Sequence, residues 1–207
     1  PKHLQNSPVI IKKYNVKIGV LGFSTREVFK SINYIKETIP VIKHVSNQCD
    51  ILVVTFHGGA EGLKARHVLR KKEWYKNELR GNVYAFAHTA IDNGADLVFG
   101  HGPHVLRGIE LYKNRLIAYS LGNFYGNGLF NAIFGTNNKM GISCVLSVRV
   151  HKSGKFLSGK IIPISIKNDG LPKIQKINKA AFIIKELSKK DFPESTLKIN
   201  TDGSIYP

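Results

Sequence analysis

The residues best suited to chemistry in this chain are three histidines placed at the ends of apolar runs. His57 follows Val53-Val54-Thr55-Phe56 and precedes Gly58-Gly59, while His101 follows Leu97-Val98-Phe99-Gly100 and is trailed by Gly102-Pro103-His104. Neutral imidazole is a common ligand for zinc, manganese and iron. Glycine beside it lets backbone approach a metal or a phosphate closely. The Gly-Pro loop between His101 and His104 can aim both rings at one centre. Residue types alone leave two readings open: metal ligation, or hydrogen-bonded structural histidines. His44, His67, His88 and His151 belong to no such group, although Arg66-His67 lies in a polar stretch that could rim the site.

These positions need strands to carry them. Val16–Phe23 and Cys49–Phe56 are β-branched apolar runs of the kind buried in a sheet. Asp96–Gly100 and Arg115–Leu121 read as two further strands. Between the first two, Val28, Ile32, Ile35 and Ile39 recur at helical spacing, which predicts a helix over 26–39 that Pro40 breaks or kinks. Residues 58–82 are polar, basic and glycine-containing, and read as a long surface loop. Asn82 is placed to cap a helix from Val83 to about Asn93, whose apolar face is Val83, Phe86, Ala87, Ala90 and Ile91, with Asn93-Gly94 as its stop. A Gly- and Asn-rich loop follows over 122–138. Gly141–Val150 and Phe156–Ile166 flank a short glycine-containing turn and predict a hairpin. Beyond Lys167 the chain turns polar, with one short helical stretch near Lys179–Leu187 and little hydrophobic pattern in the last dozen residues. In an open α/β sheet, ligands gather where strands end and loops begin, which is where His57, His101 and His104 fall.

The chain has 207 residues, 43% of them apolar, enough for one domain with its own core. A core over about 8–168 with a polar C-terminal extension over 169–207 is the expected division. No run approaches the roughly 20 apolar residues needed to cross a bilayer, and the first residues do not form a signal peptide. Two cysteines, Cys49 and Cys144, are too few for a disulfide scaffold or a Cys-rich zinc site and fit no redox motif. They are expected to be buried and inert. Thirty-one Lys and Arg oppose 14 Asp and Glu, a net charge of +17. Such a field attracts nucleic acid, an anionic lipid surface or a polyacidic substrate, or it is simply a solvated basic surface. No base-reading or stacking pattern accompanies it, so specific nucleic-acid binding is not expected.

Three stretches in order, Phe56–Gly62, Ile91–Glu110 and Leu116–Phe124, resemble the signature of the CapA-type family of poly-γ-glutamate capsule proteins. The resemblance begins near Val16 and covers most of the chain. It implies the C-terminal part of a four-layer α/β/β/α sandwich with mixed sheets, similar to calcineurin-like metallophosphoesterases. In that fold two divalent cations (Mn, Zn or Fe) sit at strand ends, activate water and clamp a phosphate-like oxygen. By this resemblance His57, His101 and His104 are metal ligands and catalytic residues. Glu61 orients substrate, Arg107 binds an anion, and Asn123 lies at the rim. The implied partners are an anionic polymer or phosphate ester and membrane-bound capsule-synthesis proteins, in the cell envelope. The early Asp, the bridging Asp and the Asn-His pair of such sites have no counterpart here, since Asp50 and Asp92 lie in the wrong context. The chain is therefore expected to carry only the histidine half of a site. It would be a fragment of a longer protein, one half of an assembly, or a non-catalytic component that binds polymer or a partner.

Overall fold

The computed structural model describes residues 8–26, 31–126, 141–166 and 170–207. Strand β1 (Val9–Lys13) turns through Tyr14-Asn15, both at positive φ, into β2 (Val16–Ser24). Helix α1 (Ile35–Ser46) leads to β3 (Ile51–His57). A small hairpin of β4 (Trp74–Tyr75) and β5 (Glu78–Leu79) precedes α2 (Val83–Asp92) and β6 (Leu97–His101). Then come β7 (Ile109–Tyr112) and β8 (Arg115–Ala118). The C-terminal third holds β9 (Ile142–Val150), β10 (Phe156–Ile166), β11 (Pro172–Ile174), α3 (Lys179–Asp191), β12 (Lys198–Ile199) and β13 (Ser204–Tyr206).

The protein is mixed α/β, built on two sheets. The first has the order β1-β2-β3-β6-β8-β7, with β2, β3, β6 and β8 parallel and an antiparallel strand at each edge. The second is antiparallel: β10 pairs along β9 on one side and with β11 and β13 on the other, and β12 extends from β13.

The period-2 geometry of strands divides the core between two faces. Leu52, Val54 and Phe56 of β3, Val98 of β6 and Ile117 of β8 join one cluster with Ile42 and Val45 of α1 and Phe86, Ala87 and Ala90 of α2. Their neighbours Val53, Leu97, Phe99, Leu116 and Ala118 face a second cluster with Cys144, Phe156 and Ile161 of the second sheet and Ala181 and Ile184 of α3. The first sheet is thus covered by helices on one side and meets the second sheet on the other. By the same alternation, His57 and His101 lie on the face of Val53, Leu97 and Phe99, at the ends of their strands.

Helix α2 follows the sequence reading closely. Asn82 accepts from the Ala85 amide at 3.0 Å, and the buried residues are the five apolar ones. Three other expectations are corrected. The first helix does not span 26–39: it begins at Ile35, and of the two effects expected of Pro40 a break is excluded, since the helix carries it inside. An interior proline costs about 3 kcal/mol, and burial of Thr38 before it and of Ile42 and Val45 beyond it offsets that cost. Ile32 sits in the preceding turn, fully buried, with its amide bonded to the Ser24 carbonyl; Val28 lies outside the described residues. The 58–82 stretch is not simply a surface loop. It holds a short 3-10 turn (Leu63–Ala65), the β4–β5 hairpin, and two buried charges, Glu73 and Arg80. The last dozen residues form a hairpin that buries Ile199 and Ile205, a pattern too short to show as periodicity. Much of the glycine-rich 122–138 loop lies outside the described residues.

Candidate functional site at the ends of two parallel strands

His57 and His101 are direct partners in the β3–β6 register, so their backbones stand about 4.8 Å apart. The ladder continues one residue further, where the Gly58 amide donates to the His101 carbonyl at 2.8 Å. Gly102 makes this closeness possible, and Gly59 admits the Arg107 side chain behind the loop. Gly102, at φ +122°, packs on Gly58 so tightly that a Cβ would lie 2.6 Å from the Gly58 carbonyl oxygen. Gly59, at φ +85°, would place a Cβ 2.9 Å from Arg107 Nη1.

From His57 a chain of polar contacts runs across the strand ends. Arg80 Nη2 sits 3.2 Å from His57 Nε2 and 2.9 Å from Glu61 Oε1. Glu61 Oε2 lies 3.9 Å from His104 Nε2. His104 Nδ1 is 2.8 Å from Asn123 Oδ1, and Asn123 Nδ2 donates back to the His104 carbonyl. These two bonds hold His104 at a positive φ of 59°, an uncommon conformation for a side-chain-bearing residue. Asn123 is fixed in turn by its amide donating to Ser143 Oγ at 2.9 Å. Guanidinium is a donor only, so His57 Nε2 accepts and the ring proton sits on Nδ1. The bond to Asn123 places the His104 ring proton on Nδ1 as well.

The pKa of His57 is lowered, first by partial burial and then by the charge of Arg80, with Glu61 opposing. That of His101 is lowered by burial. Both rings keep an edge open to solvent, yet the protein packed around them disfavours charge. The shift favours the neutral ring, the form in which imidazole accepts a proton or a metal.

The structure therefore gathers His57, His101, His104, Glu61 and Asn123 at one edge. It does not place Arg107 there. Arg107 is fully buried: Nε donates to the Ala65 carbonyl, Nη1 and Nη2 to the two oxygens of Glu73 at 3.0 and 2.7 Å, and Nη2 also to the Ala60 carbonyl. With its donors committed inside the protein, it braces the loop after His57 and does not reach an anion. His67 is also elsewhere, 2.7 Å from Asp191 at the end of α3.

Residue typing missed Glu73 and Arg80. Glu73 also accepts from the Ala60 amide at 2.8 Å, and its backbone pairs with those of Arg80 and Gly81. Both residues sit in a stretch dense with solvated charges, and the one local signal was that Arg80 stands just before the Gly81-Asn82 helix start.

As placed, these side chains do not fit a metal ion. Among the described residues no three of His, Cys, Asp and Glu converge as a metal-holding group. The lone pair of His57 Nε2 faces a guanidinium.

The family described as bacterial capsule synthesis protein PGA_cap matches residues 2–128. The chain is similar to the PGA biosynthesis protein CapA of Bacillus subtilis, 38% identical over 86 residues, which is 42% of this chain and 19% of that protein. It is 39% identical over 75 residues to the capsule biosynthesis protein CapA of Bacillus anthracis, covering 36% of this chain and 15% of that one. A probable polyglutamine synthesis accessory protein of Mycobacterium tuberculosis is 36% identical over 74 residues, 36% of this chain and 16% of its own length. The matched stretches thus span less than a fifth of each relative. The family match covers the whole strand-end edge from His57 to Asn123 and more than half of the sequence, and on that ground the chain belongs to the bacterial capsule synthesis protein family.

Proposed function

We propose that this chain is part of a CapA-like protein acting in the metabolism of capsular poly-γ-glutamate or another acidic polymer of the cell envelope. The strand-end edge of His57, His101, His104, Glu61 and Asn123 is where it meets the polymer or a phosphate ester. The observation that supports this is the coincidence of the family match with that edge. The net charge of +17 supports it further by drawing an acidic chain toward the protein. Membrane-bound capsule-synthesis proteins are the partners this role calls for. No helix among the described residues is long and apolar enough to cross a membrane.

Retention of the 207-residue chain on immobilised poly-γ-glutamate tests the reading. Binding should be competed by free poly-γ-glutamate more strongly than by polyphosphate of equal charge, and His104→Ala should weaken it. Equal competition by any polyanion, with no effect of the substitution, would reduce the interaction to bulk charge.

A second reading is a metal-dependent, phosphoesterase-like hydrolase in which His57, His101 and His104 help hold two divalent cations within a longer protein. The lowered pKa values of His57 and His101 support it by favouring the neutral ring, and the guanidinium at His57 opposes it for the chain as folded here. Divalent-metal content and cleavage of a generic phosphate ester by the longer protein decide between them. The present chain alone is expected to show no turnover.

A further inference from the structure

The β4–β5 hairpin is rooted in the strand-end edge. At its base Glu73 accepts from the Ala60 amide at 2.8 Å, and Arg80 Nη2 lies 3.2 Å from His57 Nε2 and 2.9 Å from Glu61 Oε1. The Gly59 amide donates to the Arg80 carbonyl at 2.7 Å, so backbone and side chains together fix the hairpin to the loop after His57. Glu73 and Arg80 are buried, but the surface above them is of another kind. Trp74, the only tryptophan of the chain, is 59% exposed, and Lys71, Lys72 and Lys76 flank it, all exposed. We infer that this hairpin is a docking surface for an acidic polymer, with Trp74 and its three lysines holding the stretch that runs on from the strand-end edge. This rests on the reading of that edge as the place where the protein meets the polymer, and it adds the neighbouring surface that grips the chain.

Charge and shape fit that partner. Arg70 is paired with Glu194, and Arg80 with Glu61 and Glu78, whereas no ion pair among the described residues includes Lys71, Lys72 or Lys76. Glu78, the exposed carboxylate of the hairpin, has its charge offset by Arg80 at 3.3 Å. Lys76 Nζ lies 5.4 Å from the centre of the Tyr75 ring, which keeps this ammonium beside the hairpin. At about 3.3 Å per strand residue, the step from Glu73 to Lys76 extends the edge by about 10 Å. Ammonium groups on flexible stems can follow carboxylates spaced along a mobile chain. The indole offers a flat apolar face to the methylenes between those carboxylates, and its N–H can donate to a carbonyl. Single-stranded nucleic acid calls for several aromatic rings on which successive bases stack, and a lipid surface for a broad apolar face. Of the hairpin's large apolar side chains only Trp74 is exposed.

Because Trp74 is the only tryptophan, its fluorescence reads this surface directly in the unaltered 207-residue chain. At about 0.15 M salt, where bulk charge reaches only about 8 Å, poly-γ-glutamate should move the emission to shorter wavelength and saturate. Trp74→Ala should weaken retention on immobilised poly-γ-glutamate about three- to tenfold. Lys71→Gln, Lys72→Gln and Lys76→Gln together should weaken it at least about tenfold. The same change at Lys12, Lys13 and Lys17, which lie at the opposite end of the first sheet from His57, should cost less than about threefold. Three results would overturn the inference: an emission that the polymer leaves unmoved, an equal shift with polyphosphate of the same charge or with phosphatidylglycerol vesicles, or equal losses from the two lysine triples. The strand-end reading fails differently. If His104→Ala leaves retention intact while Trp74 responds and the hairpin variants weaken binding, the hairpin stands and the edge falls. If His104→Ala weakens retention and Trp74 stays silent, the edge stands and the hairpin falls.

Discussion

At the scale of single residues, neutrality and burial decide behaviour. His57 and His101 have lowered pKa values in the folded chain. The unfolded chain therefore takes up protons at these positions more readily than the folded one. Their contribution to stability is complete above the ordinary histidine value of about 6.5 and is lost as the pH falls below it. The thermal midpoint should drop between about pH 7.5 and pH 5.5, and His101→Gln should narrow that drop; an unchanged drop would place the acid sensitivity elsewhere. The Arg107–Glu73 pair is the most deeply buried charge in the site region. Arg107→Met leaves Glu73 charged and unpaired, an arrangement that costs about 3–5 kcal/mol. Chemical denaturation should show that loss, and Arg107→Met with Glu73→Leu should recover part of it. Burial pushes the Cys144 thiol up to about 12 and raises that of Cys49 as well, so a thiol reagent should modify Cys144 only upon unfolding. Of the two buried thiols expected from the sequence, the structure buries Cys144 and leaves Cys49 partly exposed.

At the scale of elements, closeness of backbone and continuity of helix carry the argument. The two strand-end loops touch where Gly102 lies against Gly58, and alanine at Gly102 meets both a forbidden φ and a carbonyl oxygen. Gly102→Ala should destabilise the chain by more than about 1 kcal/mol and should weaken polymer retention by separating the His57 and His101 loops. Helix α1 offers a prediction of opposite sign. Pro40→Ala restores an amide that can bond to the Lys36 carbonyl and removes the ring clash, so it should stabilise by about 1–3 kcal/mol. A loss of stability would mean that a bend at Pro40 is needed for packing. The elements also show what was legible locally. Helix α2 could be read in full because its cap, its five apolar positions and its Asn-Gly stop all lie within 13 residues. The start of helix α1 was misplaced because Ile32 shares the helical spacing yet sits in the preceding turn, and its run past Pro40 was not legible because the burial that overrides a proline is non-local.

At the scale of the whole molecule, the family signature lies on the segments that end at the candidate site, which is why fold and family were readable from one chain. The net charge of +17 acts at this scale too. Retention on poly-γ-glutamate should weaken as salt shortens the range of the field from about 30 Å at 0.01 M to about 8 Å at 0.15 M. A remnant that persists at the higher salt and depends on His104 would report the strand-end edge itself. By itself the sequence marked the apolar strands, the capped helix, the β9–β10 hairpin and the histidines at two strand ends, because each follows from short-range pattern, whereas the parallel pairing that sets His57 beside His101 came from the fold. Tertiary structure alone decided that Arg107 faces Glu73, 34 positions away, and that Arg80 reaches back 23 positions to His57. Partner choice among charged side chains depends on which ones folding buries together, and in a chain this rich in lysine and arginine no spacing rule marks the few that are enclosed.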